Sequence, residues 1–271
     1  MGGVVRDEIL GIKSVDIDYT YQGDAIEFAQ NSGLNIIKTN PSFHTVRVKI
    51  GGQEIDIAST REEAYPKKGH LPEVFNIGCP IEKDLKRRDF TINAIAKRTS
   101  DGEIVDIFNG IDDIKNKTLR ILHSESFIDD PTRIIRGLKF AVRFGFESDR
   151  NTRQKQEEYL GNINYDMSYH RLKNELKDAF NLNRHEIMDK FINDKMYKLL
   201  GENQKAPNID SKKIEEAIKK NHCQNPWIIY LSFFDLSNFE LTRQEKKILK
   251  LEGNEGNIIK CLKIFLKQNF I

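Results

Sequence analysis

Asp16-Ile17-Asp18, flanked by Val15 and Tyr19, places two carboxylates two residues apart in a run that reads as a β-strand. Residues two apart on a strand face the same way, so both acids aim at one point. A third, Asp56, stands in Gln53-Glu54-Ile55-Asp56-Ile57, with Glu54 and Ala58 on its side and Ile55 and Ile57 opposite. Three converging carboxylates supply the oxygen ligands that a hard divalent cation such as Mg²⁺ requires. Two such ions about 3.5 to 4 Å apart clamp the attacking and leaving oxygens of a phosphoryl transfer. An isolated Asp-x-Asp is more often a solvated strand face, so the pair gains meaning only from its company.

That company is cationic and glycine-rich. Lys86-Arg87-Arg88-Asp89-Phe90-Thr91-Ile92-Asn93-Ala94 sets three cations, a carboxylate and an amide beside a small apolar patch, a composition suited to a polyanion. Gly2-Gly3 precedes a helix expected to begin near Val4, which puts backbone N–H groups and a positive helix end where a triphosphate could rest, with Arg6 adding a charge-assisted contact. Taken singly, a Gly-Gly before a helix is more often a turn, and the run at Lys86 also fits an exposed helix start.

The elements that must hold these residues change character along the chain. Up to about residue 117, β-branched runs alternate with turn signals, as in an α/β domain. Val46 to Ile50 and Gln53 to Ile57, joined by Gly51-Gly52, predict a hairpin, because two glycines tolerate the positive φ of a tight primed turn. Asp24 to Asn31 predicts a short helix, and Asn40-Pro41-Ser42 a break before the hairpin. Arg61 to Asp84 carries Pro66, Gly69, Pro72, Gly78 and Pro80 and is expected to be a long loop. From Thr118 onward helical spacing takes over. Ile134, Leu138, Ala141 and Val142 share one helical face, while Arg133, Arg136, Lys139 and Arg143 fall on an outer, basic one. Ser168 is a good N-cap for a second helix bearing Leu172, Leu176 and Phe180, and the remainder, through Trp227 to Leu231 and Ile258 to Phe265, reads as short helices of a bundle.

Composition narrows the setting. The chain has 271 residues, enough for one large or two smaller domains, and 43 Lys+Arg against 41 Asp+Glu give a net charge of +2, so any nucleic-acid role rests on local clustering. Cys79, Cys223 and Cys261 are widely spaced, without metal-ligand spacing, and read as reduced cytosolic thiols. No apolar run approaches a membrane span, and the N-terminus lacks the apolar core of a signal peptide. The expected setting is cytoplasmic, with no membrane and no obligate protein partner.

Gly2-Gly3-Val4-Val5-Arg6-Asp7, Asp16-Ile17-Asp18, the run from Lys86 to Ala94 and Asp129-Asp130-Pro131-Thr132-Arg133 occur in the order and near the spacings of one family. Together they resemble the class II tRNA nucleotidyltransferases and bacterial poly(A) polymerases, within the polymerase-beta-like nucleotidyltransferases. The resemblance covers roughly Gly2 to Phe180. It implies an α/β head over residues 1–117, a helical neck over 118–184 and a partial helical body over 185–271. It also implies that Asp16 and Asp18 hold Mg²⁺ while Asp56 assists. Gly2, Gly3, Arg6, Arg88, Asp89 and Asn93 would contact or shape the site for the nucleotide, as would Arg136, and Lys139 and Arg143 would bind RNA. Thr60 to Pro72 resembles the family's pocket-remodelling loop.

The family's base-reading motif is usually Glu-Asp-x-x-Arg, and Asp130 and Arg133 stand at its Asp and Arg. Asp130 only accepts and Arg133 only donates, a pair that suits the Watson–Crick edges of C and A and mismatches U and G. Three departures stand out. Met1 takes the place where the family has the end of a strand, Asp129 and His170 stand where Glu is usual, and the chain ends at Ile271 before much of the tail that grips tRNA. The expected activity is template-free addition of CMP and AMP from CTP and ATP to a tRNA 3′ end. A-only, CC-only and poly(A) addition, or an RNA-binding relative with impaired catalysis, are the alternatives.

Overall fold

Val46, Val48, Ile55 and Ile57 alternate with polar residues, and in the folded chain all four turn to one face of a sheet. The structure is a computed structural model and describes residues 1–13 and 18–269. The described chain divides into two units, Met1–Asp129 with Glu147–Thr152, and Asp130–Phe146 with Arg153–Ile271.

The first unit opens with helix α1 (Gly3–Ile9), followed by β1 (Asp18–Tyr21), α2 (Ala25–Asn31), β2 (Asn35–Asn40), β3 (Thr45–Ile50) and β4 (Gln53–Ser59). Their sheet has the order β1-β4-β3-β2, antiparallel from β2 to β4, with β1 parallel to β4. Gly51 and Gly52 make the predicted hairpin turn at φ 58° and 88°, values a β-carbon would penalise. Asp24 caps α2 by accepting from the Ile26 and Glu27 amides. Ala25 and Ala29 of α2 then pack on Val46, Val48 and Ile57, covering one face of the sheet. The opposite face is left to the polar residues of the alternation.

The stretch expected to be a long loop is more ordered than its prolines and glycines suggested. Strands β5 (Arg61–Ala64) and β6 (Glu73–Ile77) pair antiparallel with a register shift between Glu62 and Glu63, and α3 spans Ile81–Lys86. Pro66, Gly69 and Pro72 all fall in the connection between the two strands, which is tied down where the Gly69 amide donates to the Asp129 carbonyl at 3.0 Å. Turn formers thus mark the hairpin's tip rather than the whole segment.

Beyond α3 the unit continues through β7 (Ala96–Lys97) and β8 (Ile104–Val105), α4 (Gly110–Lys115), β9 (Thr118–Leu119) and α5 (Ser126–Asp129). A β-carbon at Gly110 would lie 2.3 Å from the Thr91 carbonyl oxygen, so glycine is what lets α4 approach the segment after Arg88. Leu85, Ala94 and Ala96 form a second small core there.

The second unit begins with α6 (Thr132–Phe144). Strand β10 (Glu147–Ser148) returns to the first unit and pairs with β9, and α7 (Arg150–Gly161) follows. Next come α8 (Tyr169–Phe180), α9 (His185–Asn193), α10 (Ser211–Lys220), α11 (Pro226–Leu231), α12 (Arg243–Leu249) and α13 (Gly253–Asn269). Ser168 caps α8, accepting from the Arg171 amide as its sequence position predicts. Leu172, Leu176, Phe180, Phe191 and Trp227 are fully enclosed, and the Phe180 and Phe191 rings meet edge to face at 5.3 Å, so this unit has a packed aromatic core of its own.

Candidate active site

On the uncovered face of the first unit's sheet, Asp18 is the register partner of Asp56 across β1 and β4. Parallel partners project to the same side. Both acids open onto a cleft of about 450 Å³, lined also by Thr20, Asn40, Thr45, Arg47, Arg61, Arg87 and Arg88. Asp16 lies outside the described residues. Glu54, Asp56 and Ala58 do share this face, as the alternation predicts, because Ile55 and Ile57 are drawn to α2.

Arg47, the β3 partner of Asp56, grips it bidentately: Nε donates to Oδ1 at 2.8 Å and a terminal NH₂ to Oδ2 at 2.7 Å. These hydrogen bonds hold the Asp56 carboxyl below the usual carboxylate range, so it is ionised throughout the neutral region. The carboxylates of Asp18 and Asp56 are hard oxygen donors on one face, a set that fits a divalent cation.

The same cleft is lined by a group of arginines that the sequence only partly indicated. The Asp84 carboxylate accepts from the Arg61 backbone N–H at 3.0 Å, Arg87 Nε at 3.0 Å and an Arg88 NH₂ at 3.2 Å. Glu63 accepts from Arg61 Nε at 2.6 Å and Arg87 at 3.3 Å. Burial would raise the Asp84 carboxyl, but Arg88 and Arg87 outweigh it and hold it below its ordinary value. Asp84 was missed by sequence reasoning. Its signal was an acid in the last turn of a short helix, three and four residues ahead of two arginines just past the helix end.

The glycine pair serves this arrangement differently from the expectation. Gly2 is the N-cap of α1 at φ 68°, and a β-carbon there would stand 3.0 Å from an Arg88 guanidinium nitrogen. Gly2 therefore lets Arg88 pack against the start of α1. Its own N–H is not free, since it donates to the Ile95 carbonyl at 2.9 Å.

Arg6, expected to reach phosphate, is 5% exposed. It donates to Asp7 through Nε at 2.9 Å and to Asn93 Oδ1 at 2.5 Å. Asn93 in turn donates to Asp89 Oδ1 at 2.9 Å, which also accepts the Phe90 amide. Arg6, Asn93 and Asp89 thus form a buried chain that fastens α1 to the Arg88–Ala94 segment. All three are buried, and none of them is among the residues that line the cleft. Burial requires partners for these polar groups: Asp7 supplies the countercharge of Arg6, and the Asn93 amide accepts from Arg6 while donating to Asp89.

In the second unit, Asp130 is 5% exposed. Its Oδ1 accepts from the Thr132 amide at 3.1 Å and hydroxyl at 2.6 Å, and its Oδ2 from Arg171 on α8. Arg133, expected on the outer face of α6, is 4% exposed. The first turn of α6 is enclosed on all sides, with Pro131, Thr132, Ile134 and Ile135 also buried, so helical periodicity does not expose it. The outer face is less openly basic than its sequence implied. Arg136 and Lys139 pair with Glu175 at 3.2 and 3.3 Å, and Lys139 also reaches Asp178. Arg143 is exposed, with its guanidinium carbon 5.0 Å from the Phe144 ring centre. In the first unit Asp129 accepts from Lys68 at 2.5 Å, which ties the β5–β6 connection to the end of α5.

Comparison with known proteins agrees with this geometry. Residues 1–120 match the poly A polymerase head domain. An A-adding tRNA nucleotidyltransferase from Aquifex aeolicus (strain VF5) is 39% identical over 212 residues, covering 74% of this chain and 25% of that protein. The chain thus spans about a quarter of the length of that curated relative. Among solved structures, the apo form II of a CCA-adding enzyme aligns with TM-score 0.75 and 27% identity over 98% of this chain and 66% of that one. A tRNA nucleotidyltransferase complexed with a primer tRNA and an incoming ATP analog aligns with TM-score 0.69 and 28% identity, over 98% of this chain and 80% of that one. An α/β head that presents facing carboxylates to an arginine-lined cleft, with helices after it, is the architecture of a nucleotidyltransferase. The chain belongs to the class II tRNA nucleotidyltransferase and poly(A) polymerase family.

Proposed function

We propose that the chain transfers nucleotides to the 3′ end of tRNA without a nucleic-acid template, using CTP and ATP to build the CCA end. The observation that carries this reading is Asp18 facing Asp56 in a cleft that Arg61, Arg87 and Arg88 also line. An RNA 3′-hydroxyl would attack the α-phosphate, and pyrophosphate would leave. Arg88, with Arg87 and Arg61, neutralises the phosphate charge, a task suited to the planar guanidinium fork. Asp16 and Asp18 would hold Mg²⁺, and Asp56, an ionised carboxylate, faces Asp18. When bound, the metal supplies charge neutralisation and activation of the hydroxyl. Asp130 and Arg133 select the base and Arg136 supports them, while Lys139 and Arg143 contact RNA. Residues 118–184 act as the neck and 185–271 as part of the body. Among the described residues no helix is long and apolar enough to cross a membrane. The setting proposed here is the cytoplasm.

A second reading, addition of the terminal A alone, is favoured by the 39% identity to an A-adding enzyme. One experiment tests both. tRNA transcripts ending before A, CA or CCA are incubated with each nucleoside triphosphate separately, and the 3′ ends are sequenced. CMP and AMP on the appropriate ends support CCA addition, and AMP on CC ends alone supports the second reading. Failure to extend any end rejects both.

A further inference from the structure

Asp84 has no exposed surface, and none of the roles above requires it. Enclosing a carboxylate is costly unless its partners repay the lost hydration. Here every partner is an arginine of the cleft wall: the backbone N–H of Arg61, the Nε of Arg87 and an NH₂ of Arg88. Glu63 holds Arg61 and Arg87 from a second side. Two enclosed acids therefore stand behind three guanidinium groups, and the surplus positive charge faces the opening. A guanidinium pinned by a buried acid also loses less side-chain freedom when a ligand arrives.

We propose that Asp84 is a positioning residue for polyphosphate. It fixes Arg87 and Arg88, just past the end of α3, and, through the Arg61 amide, the start of β5, so that the three guanidinium groups are already set when a triphosphate enters. This rests on the nucleotide-transfer reading for the identity of the substrate, but the presented chemistry is that of a linear polyphosphate alone. Asp84 touches no reacting atom and acts only through its arginines.

Asp84→Asn keeps the shape and removes the charge. The loss of a charge-assisted hydrogen bond should raise the KM for ATP about tenfold or more, leave kcat within about threefold and leave the KM for the RNA primer unchanged. Inorganic tripolyphosphate, titrated by calorimetry without RNA, should bind more weakly by the same factor. A merely structural role would instead lower the active fraction, with KM and tripolyphosphate affinity unchanged, and that result overturns the proposal. If Asp84→Asn does not fold, Asp84→Glu decides. A folded variant with tripolyphosphate affinity lowered severalfold supports positioning, whereas wild-type affinity, or loss of folding here too, overturns it. A wild-type protein that extends no RNA, yet binds tripolyphosphate in a manner dependent on Asp84, rejects the tRNA reading and leaves this one standing.

Discussion

Asp18 stands directly across from Asp56 in the parallel ladder of β1 and β4, while Arg47 holds Asp56 from β3. Three neighbouring strands thus meet at one carboxylate, and the strand order alone brings together residues 38 positions apart, from 18 to 56. The charge of the site is a property of the sheet's register, since a one-residue slip of β1 would turn Asp18 away from the face that Asp56 occupies.

Asp18→Ala should abolish nucleotide transfer, by about a hundredfold or more, if the acid is a metal ligand. Asp18 is exposed and supports no core, so the melting temperature should move by no more than a few degrees. Transfer assays beside thermal denaturation separate the two effects, and retained incorporation in the folded variant would sink the assignment.

Arg47→Ala should return the Asp56 carboxyl toward its ordinary value, readable by NMR titration. The sign follows from the depressed carboxyl: the stabilisation from the pair is present above the unfolded value of 3.8 and disappears as pH falls through the folded one. Both side chains are nearly half exposed, so the contribution at neutral pH should not exceed about 1 kcal/mol. Wild type and variant should therefore converge in stability at acid pH, and a constant difference down to pH 2 would show that Arg47 acts through packing instead.

Asp130→Asn tests base selection more cleanly than removal of the side chain, because an acceptor remains for Thr132 while a donor is introduced. A donor matches the carbonyl of uracil. UTP use relative to CTP should rise about ten- to a hundredfold, the equivalent of one charged hydrogen bond of about 1.5 to 3 kcal/mol. A parallel decline with all nucleotides would mark Asp130 as a support for α6 and Arg171 only.

Arg143→Gln should lower the slope of log affinity for tRNA against log salt by about one, as expected for one lost phosphate contact. Lys139→Gln should change it less, because that ammonium already lies against Glu175 and Asp178. Equal slopes for wild type and Arg143→Gln in filter-binding assays would remove Arg143 from the RNA interface.

What the sequence made legible was local. The alternation at Val46, Val48, Ile55 and Ile57, the Gly51-Gly52 turn, the short helix after Asp24 and the cap at Ser168 all depend on neighbours a few residues away, and each appears where it was expected. The hairpin of β5 and β6 was hidden because proline and glycine at its tip outweighed two short strands. Arg6 and Arg133 read as surface cations, and both are enclosed. For Arg6 the reason lies in Asn93, 87 residues away, and no periodicity within α1 announces that partner. Asp84 escaped notice for the same reason, since its value depends on where Arg61 arrives from the sheet.

The parallel pairing of β1 with β4 also sets when the site can exist. Hairpins β2–β3 and β3–β4 close between residues near in sequence, whereas β1 must return across the intervening helix and two strands. Closing the longer span costs more chain entropy and gains nothing until the ladder forms. A folding chain can hold the β3–β4 hairpin, with Asp56 already gripped by Arg47, before it has any paired carboxylates. The facing acids need the most distant closure of the sheet, so a molecule whose β1 has come away keeps the core of α2, β3 and β4 and loses the pairing of Asp18 with Asp56.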